Sequence, residues 1–425
     1  MNTPRIFVVS VLLALSSFHV ARANDDPARR RFLEPPADAR ILKIIHGWPD
    51  DPKVQDDWID RLSRQGFGGV VSNVSFTDYL QSEPRWKAFE RAVGEARKAG
   101  WALWLYDERG YPSASAGGQV LKDHPEWEAE GLLVALAETD DAVVLLDAPP
   151  GEPFLFVAFP ERGGEIQGSE KIDLSESLRD GKLEWRPPGP GRWRVLLVTR
   201  NRLYDGTHAE TNYSDHIPYP NLLSPEPTRR FIELTHQAYA DRLGADLGKT
   251  FEATFTDEPS LLSFLLRAKP YRVLPWSPNL AGEFRKRRGY ALEPIVPDLI
   301  VDGGLETGRH RHDFWLTIAE LISENYFGQI QTWCREHKIP SGGHLFLEEG
   351  VAAHPTLYGD IFQCLRRMDA PGIDCLTSLP PKVPWRSARL AASAGELEGN
   401  ALVMSETSDH EQRYRPEGDD RPPDR

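Results

Sequence analysis

Only three cysteines, Cys334, Cys364 and Cys375, occur in 425 residues. So few, and odd in number, they exclude a disulfide framework and leave at least one thiol unpaired. They read as buried and inert rather than as redox or metal groups. No G-x-G-x-x-G or Walker-type loop stands at a strand–helix junction, so nucleotide binding has no support. No G-x-S-x-G is present, which removes a serine nucleophile elbow. Basic excess is missing too: 50 Lys and Arg against 64 Asp and Glu give a net charge of −14. Nucleic acid is therefore excluded as a partner, because phosphate binding needs clustered cations. Long apolar runs are confined to "IFVVSVLLALSSF" after Arg5, too short to span a bilayer well. With Ala21-Arg22-Ala23 as a small-x-small cleavage site, this run has the form of an export signal. The expectation is a signal peptide at 1–23 and a secreted or periplasmic mature chain without a membrane span.

Aromatic residues are plentiful, with 12 Trp and 12 Tyr. They suit sugar platforms as well as a core. A polar, Pro-rich leader at 24–39 precedes a repeating rhythm. Strand-like runs "ILKII", "GGVVS" and "WALWLY" alternate with helical spacing, most clearly in "SEPRWKAFERAVGEARKAG". Residues 130–205 break the rhythm with short β-like runs between Gly, Pro and Asp turns. It resumes with "KTFEATFTDE", "PSGGHLFLEEG", "IDCLTSL" and "NALVMSETS" as strands four to seven.

Strands alternating with helices predict a parallel sheet. Polar residues gathered at the strands' C-terminal ends favour a (β/α)8 TIM-type barrel over a doubly wound sheet. The predicted α/β architecture is thus a barrel incomplete at the eighth unit, with a small β-domain inserted between strands three and four. Its segments are 40–129 (strands one to three), 130–205 (the insertion) and 206–408 (strands four to seven), with a disordered tail at 409–425. The abrupt acidic tail suggests a truncated reading frame.

Active residues of such barrels lie at the C-terminal strand ends. Read in order, those ends give His46 and Trp48, then Asp107 and Glu108, then Asp257 and Glu258. His344, Glu348, Asp374 and Glu406 follow. Carboxylates at one end of five strands suit glycoside hydrolysis, which needs a protonated and an ionised carboxyl across one bond. Surplus acids can bind sugar hydroxyls or hold calcium through oxygen. Each acid also has a plainer reading as a solvated strand end, a helix cap or a loop anchor. Strand alternation would put His344 and Glu348 on one face and leave Glu349 as a rim charge. The "HRH" at 310–312 lacks a partner at metal-ligand spacing and reads as the start of a long helix.

Five blocks in order, "LWLYDERGYPSASAGGQV", "KIDLSESLRDGKLEWRPPGPGRWRVLLV", "TFTDEPSL", "EFRKRRGYALEPIVPDL" and "SGGHLFLEEG…GDIFQCLRRMDAPGIDCL", resemble glycoside hydrolase family 106 and its α-L-rhamnosidase-like relatives. The resemblance covers most of residues 40–408. It implies an exported barrel enzyme acting on an oligo- or polysaccharide, with a pair of glutamates, inversion and calcium at the sugar. Carried onto this sequence, Glu258 is the general acid and Glu406 the second carboxylate. Glu348 is its rival or a calcium ligand. Asp107, Glu108, His344 and Asp374 line the sugar subsite; Trp48, at the end of strand one, is a further candidate sugar contact by its position and not by the resemblance. Two alternatives stay open: a sugar-binding remnant without catalysis, and another barrel hydrolase or lyase acting on polysaccharide.

Overall fold

The structure is a computed structural model that describes residues 26–36, 39–212, 216–264, 267–375, 385–400 and 402–407. The expected export signal with its cleavage site and the expected tail at 409–425 lie outside the described residues. Within the leader, Pro27–Leu33 forms a short helix capped by Asp26, whose side chain accepts from Ala28 N.

The first three strands are β1 (Leu42–Ile45), β2 (Gly69–Ser72) and β3 (Ala102–Tyr106). Helices Pro52–Arg64 and Glu83–Lys98 connect them. Each helix carries proline in its first turn, where the missing N–H costs nothing. The chain then enters a β-domain of β4 (Glu130–Thr139), β5 (Val144–Asp147), β6 (Glu152–Arg162), β7 (Lys182–Trp185) and β8 (Arg192–Arg202), with two-residue strands between. It returns through β9 (Phe251–Asp257), crosses to β10 (Arg272–Trp276), and continues with β11 (Gly342–His344), β12 (Ala370–Cys375) and β13 (Met404–Thr407).

Seven strands form one sheet in the order β1-β2-β3-β9-β11-β12-β13, every neighbour parallel. Among the described residues β1 and β13 do not pair, so the sheet is a curled half-barrel and not a closed (β/α)8 barrel. Its central strands β2 and β3 are buried on both faces, as the all-apolar "ALWLY" of β3 requires, while the outer strands β1 and β13 are partly exposed. Alternate residues fill the concave face: Val71, Trp104, Tyr106, Ala253, Phe255 and Ala370 form one cluster. The opposite parity, Val70, Leu103 and Leu105, joins the larger core with Phe89 and Val93 of the covering helix.

The inserted domain has a main sheet in the order β10-β4-β8-β6, with short strands beyond β6, and a three-stranded sheet through β5 and β7. Strand β10 comes from outside residues 130–205, so this sheet is extended by a segment that follows β9. Pro275 sits within β10, which is tolerated because β10 is an edge.

Two long helical stretches are interrupted. Thr235 leaves helical geometry between Pro225–Leu234 and His236–Leu243, and its hydroxyl donates back to Phe231 O at 2.7 Å. A π turn at Ser323–Gly328 separates Thr307–Ile322 from Gln329–Glu336. His310 lies within that first helix and bonds Asp298, not a metal partner. Cys334 and Cys364 are free and buried, and burial pushes the Cys334 thiol up to about 12. Thiols so placed are inert. Among the described residues no helix is long and apolar enough to cross a membrane.

Candidate active site

Six ionisable side chains meet at the C-terminal ends of β9, β11, β12 and β13: Asp257, Glu258, His344, Glu348, Asp374 and Glu406. Strand parity explains three of them. Asp257 follows Ala253 and Phe255 on the concave face, Asp374 follows Ala370, and Glu406 follows Met404. Register then aligns them, because Asp257 pairs with His344 and Asp374 with Glu406. Gly343 permits the first pairing: its φ is +134°, and a Cβ there would lie 2.1 Å from Thr256 O.

His344 is the hub. Its Nε2 lies 2.9 Å from Glu406 Oε2 and 3.3 Å from Asp257 Oδ1, and its Nδ1 lies 3.6 Å from Glu348 Oε1. Burial alone would lower its pKa. Hydrogen bonds to Asp257, Glu348 and Glu406 outweigh that and hold it well above the ordinary histidine value. The imidazolium thus neutralises part of a crowded acidic site.

Asp374 has the opposite fate. Burial, with like charge from Glu406, Glu258 and Glu348, pushes its carboxyl up to about 8 against the pull of His344. Its Oδ1 is buried and has no hydrogen-bond partner among the described residues. Asp374 therefore keeps a proton near neutrality. Nearest ligand atoms of Glu258, His344 and Asp374 lie within 4.8 Å of one another, as do those of Asp257, His344 and Glu406.

Glu258 leaves the strand pattern. Its φ is +49°, a left-handed conformation uncommon for a side chain of this size. That turn brings its carboxylate 2.9 Å from His208 Nε2. Tyr111 overlooks the cluster; burial, then the charges of Glu258, Asp257, Glu406 and Asp374, raise its phenol pKa.

Other predicted residues lie elsewhere. Asp107 has the parity of Leu105 and points away from the concave face, buried beside His236 at 3.7 Å and bonded by Ser113 Oγ at 2.7 Å. Burial, the largest effect, raises its pKa well above the carboxylate range. Glu108 is a loop anchor: its carboxylate accepts backbone N–H groups of Arg109, Ser115, Ala116 and Gly117 at 2.6–2.8 Å. Neither is free to meet a sugar. Both hold the loop that carries Tyr111. Trp48 is 3% exposed and packs edge-on against Trp58 and Trp101, so it is core. Glu348 reaches His344 by a different route from strand alternation. Strand β11 ends at His344, Leu347 turns with φ +59°, and Glu348 Oε1 accepts from Leu345 N at 2.9 Å. Glu349 is exposed.

His208 was not among the predicted residues. Its signal, a lone histidine in "YDGTHAE" between the insertion and the next helix, has no periodicity to single it out.

Ionisable groups gathered at the C-terminal ends of neighbouring parallel strands occupy the position where parallel α/β sheets carry their functional sites. Residues 158–413 match the alpha-L-rhamnosidase family, and the chain belongs to that family, glycoside hydrolase family 106. The fold is similar to that of a rhamnosidase from Novosphingobium sp. PP1Y, with a TM-score of 0.55 at 14% identity over 90% of this chain and 53% of that one. Over 188 residues the chain is 27% identical to a protein provisionally named a beta-glucuronidase from Formosa agariphila, covering 41% of this chain and 14% of that protein. The chain thus spans only part of the length of both relatives.

Proposed function

We propose that this chain carries the catalytic centre of an exported glycoside hydrolase that cleaves an α-L-rhamnoside-like bond in an oligo- or polysaccharide. The observation that carries this reading is the convergence of Glu258, Asp374 and Glu406 around His344. Glycoside hydrolysis needs one carboxyl that holds a proton and another that is ionised. In the proposed mechanism Glu258 gives a proton to the leaving oxygen. Glu406, ionised beside the His344 imidazolium, is the second carboxylate and draws a proton from the attacking water. His344, itself anchored by Asp257, holds Glu406 at the floor of the sugar subsite.

A second reading is favoured by the raised pKa of Asp374. A carboxyl protonated up to about 8 is ready to act as the acid, with Glu258 beside it as the second carboxyl of the pair.

Calcium is part of the proposal. Its fit rests on Asp374 Oδ1, buried without a partner and surrounded by like charge. Oxygen donors suit calcium, and Glu406 and Asp374, opposite one another in adjacent strands, would supply them, with Asp374 giving up its proton as the ion binds. A bound ion would offset the acidic charge and take up sugar hydroxyls. Glu348 is a poor ligand, since its Oε1 already accepts from Leu345 N and Asp374 N.

The test is release of 4-nitrophenol from its α-L-rhamnoside by the wild-type chain and by E258Q, E406Q and D374N. Loss of about 10²-fold or more in kcat is expected for E258Q and E406Q, the range for a general acid or base. Loss in D374N with E258Q nearly intact would move the acid role to Asp374. Undiminished turnover in all three would sink the mechanism.

A further inference from the structure

We propose that His208 is the positioning residue of Glu258, and that the inserted β-domain completes the active site by delivering it. The proposal rests on the reading of Glu258 as a catalytic carboxyl. His208 Nε2 lies 2.9 Å from Glu258 Oε2, with the two side chains 5% and 12% exposed. The imidazole also lies flat on Phe346, ring centroids 3.8 Å apart and planes 6° from parallel. One ring nitrogen thus stands at ion-pair distance from the carboxylate while the ring face rests on Phe346.

The backbone frame adds a second constraint. His208 opens the short helix just after β8, the last strand of the insertion. Glu258 precedes β10, the strand that returns to the same sheet. Strands β8 and β10 are the two neighbours of β4. Between them a clamp joins the two segments: Arg267 pairs with Glu210 at 2.8 Å, and Glu210 accepts from Gly206 N at 3.2 Å. The distance between His208 and Glu258 is therefore set by the inserted sheet. A carboxyl in the left-handed turn at Glu258 needs such a hold, because β9 has already ended.

The test compares the full chain with H208A, H208Q and E258Q on 4-nitrophenyl α-L-rhamnoside. H208A is expected to lose at least tenfold in kcat with KM changed less than threefold. Added imidazole should restore part of that loss, and H208Q should retain more than H208A. A kcat for H208A within twofold of wild type, or a loss that imidazole leaves untouched, overturns the proposal. Activity that survives in E258Q overturns the underlying assignment of Glu258 instead, whatever H208A does. A second measurement needs no turnover. In chain labelled with ¹⁵N-histidine, the His208 Nε2 resonance, identified by its loss in H208Q, should move in E258Q. An unmoved resonance shows that the two groups do not interact and removes the proposal.

Discussion

Tyr106 donates its hydroxyl to Asp257 Oδ2 at 2.5 Å, joining the ends of β3 and β9 across the concave face. The other oxygen of Asp257 lies 3.3 Å from His344 Nε2. With both oxygens engaged, Asp257 anchors the imidazolium and has none left for a leaving group. Y106F removes one of those holds. It should cost about 1.5–3 kcal/mol in stability, the range for a hydrogen bond to a charged group. Activity should fall about tenfold while KM stays close to wild type. Urea unfolding and steady-state kinetics on the same samples check both.

The carboxyl of Asp374 gives the protein a defined response to pH. It holds its proton up to about 8 in the folded chain, against an ordinary value of 3.8. Between those values the folded state binds more protons than the unfolded one. Its contribution is fully present below the unfolded value and is lost as pH rises through about 8. D374N abolishes this titration. Its Tm should fall less than that of wild type between about pH 5 and about pH 9 with EDTA present. Parallel Tm curves for the two proteins would contradict the assignment.

Glu108 predicts a structural defect. Removing its carboxylate strands several buried N–H groups at once, each costing about 1–3 kcal/mol when left without a partner. E108A should therefore lose at least about 3 kcal/mol, and the loop at 109–117 should become sensitive to protease. E108Q, which keeps an acceptor oxygen, should lose less. Equal stability of E108A and wild type in urea titration would refute the anchor role.

Trp48 supplies the contrasting case. As a core residue it should matter to stability and not to the sugar. W48A should lower stability by about 3–5 kcal/mol, as large-to-small core changes do. Its KM for the aryl glycoside, measured at a temperature where it stays folded, should match wild type. A raised KM at unchanged stability would restore Trp48 to the binding site.

Alternation made much of this site legible. Once "FEATFTD" is a strand with Ala253 and Phe255 inward, Asp257 must face inward too. The same count selects Asp374 after Ala370 and Glu406 after Met404. Applied to "WALWLYDE", it would have rejected Asp107, which shares the parity of Leu105 and so lies on the helix side. Glu258 and Glu348 escape the count because a left-handed residue, Glu258 itself or Leu347, reverses the chain at each strand end. Such turns at non-glycine residues leave little trace in sequence. His208 was out of reach for another reason. Its partner is 50 residues away, and the contact depends on how the inserted sheet closes. The curled sheet followed from the βα rhythm. The recruitment of β10 did not, because a five-residue edge strand with proline at its fourth position reads as a loop.

That recruited strand bears on how the gene can be edited. Excising 130–205 would remove β4, and Arg272–Trp276 would then have no ladder to join. Its backbone donors and acceptors would become an open edge of the kind that draws chains together. The insertion is therefore not a cassette that can be lifted from the parallel sheet. Any shortened version must take the 258–271 crossing with it, and that crossing begins at Glu258.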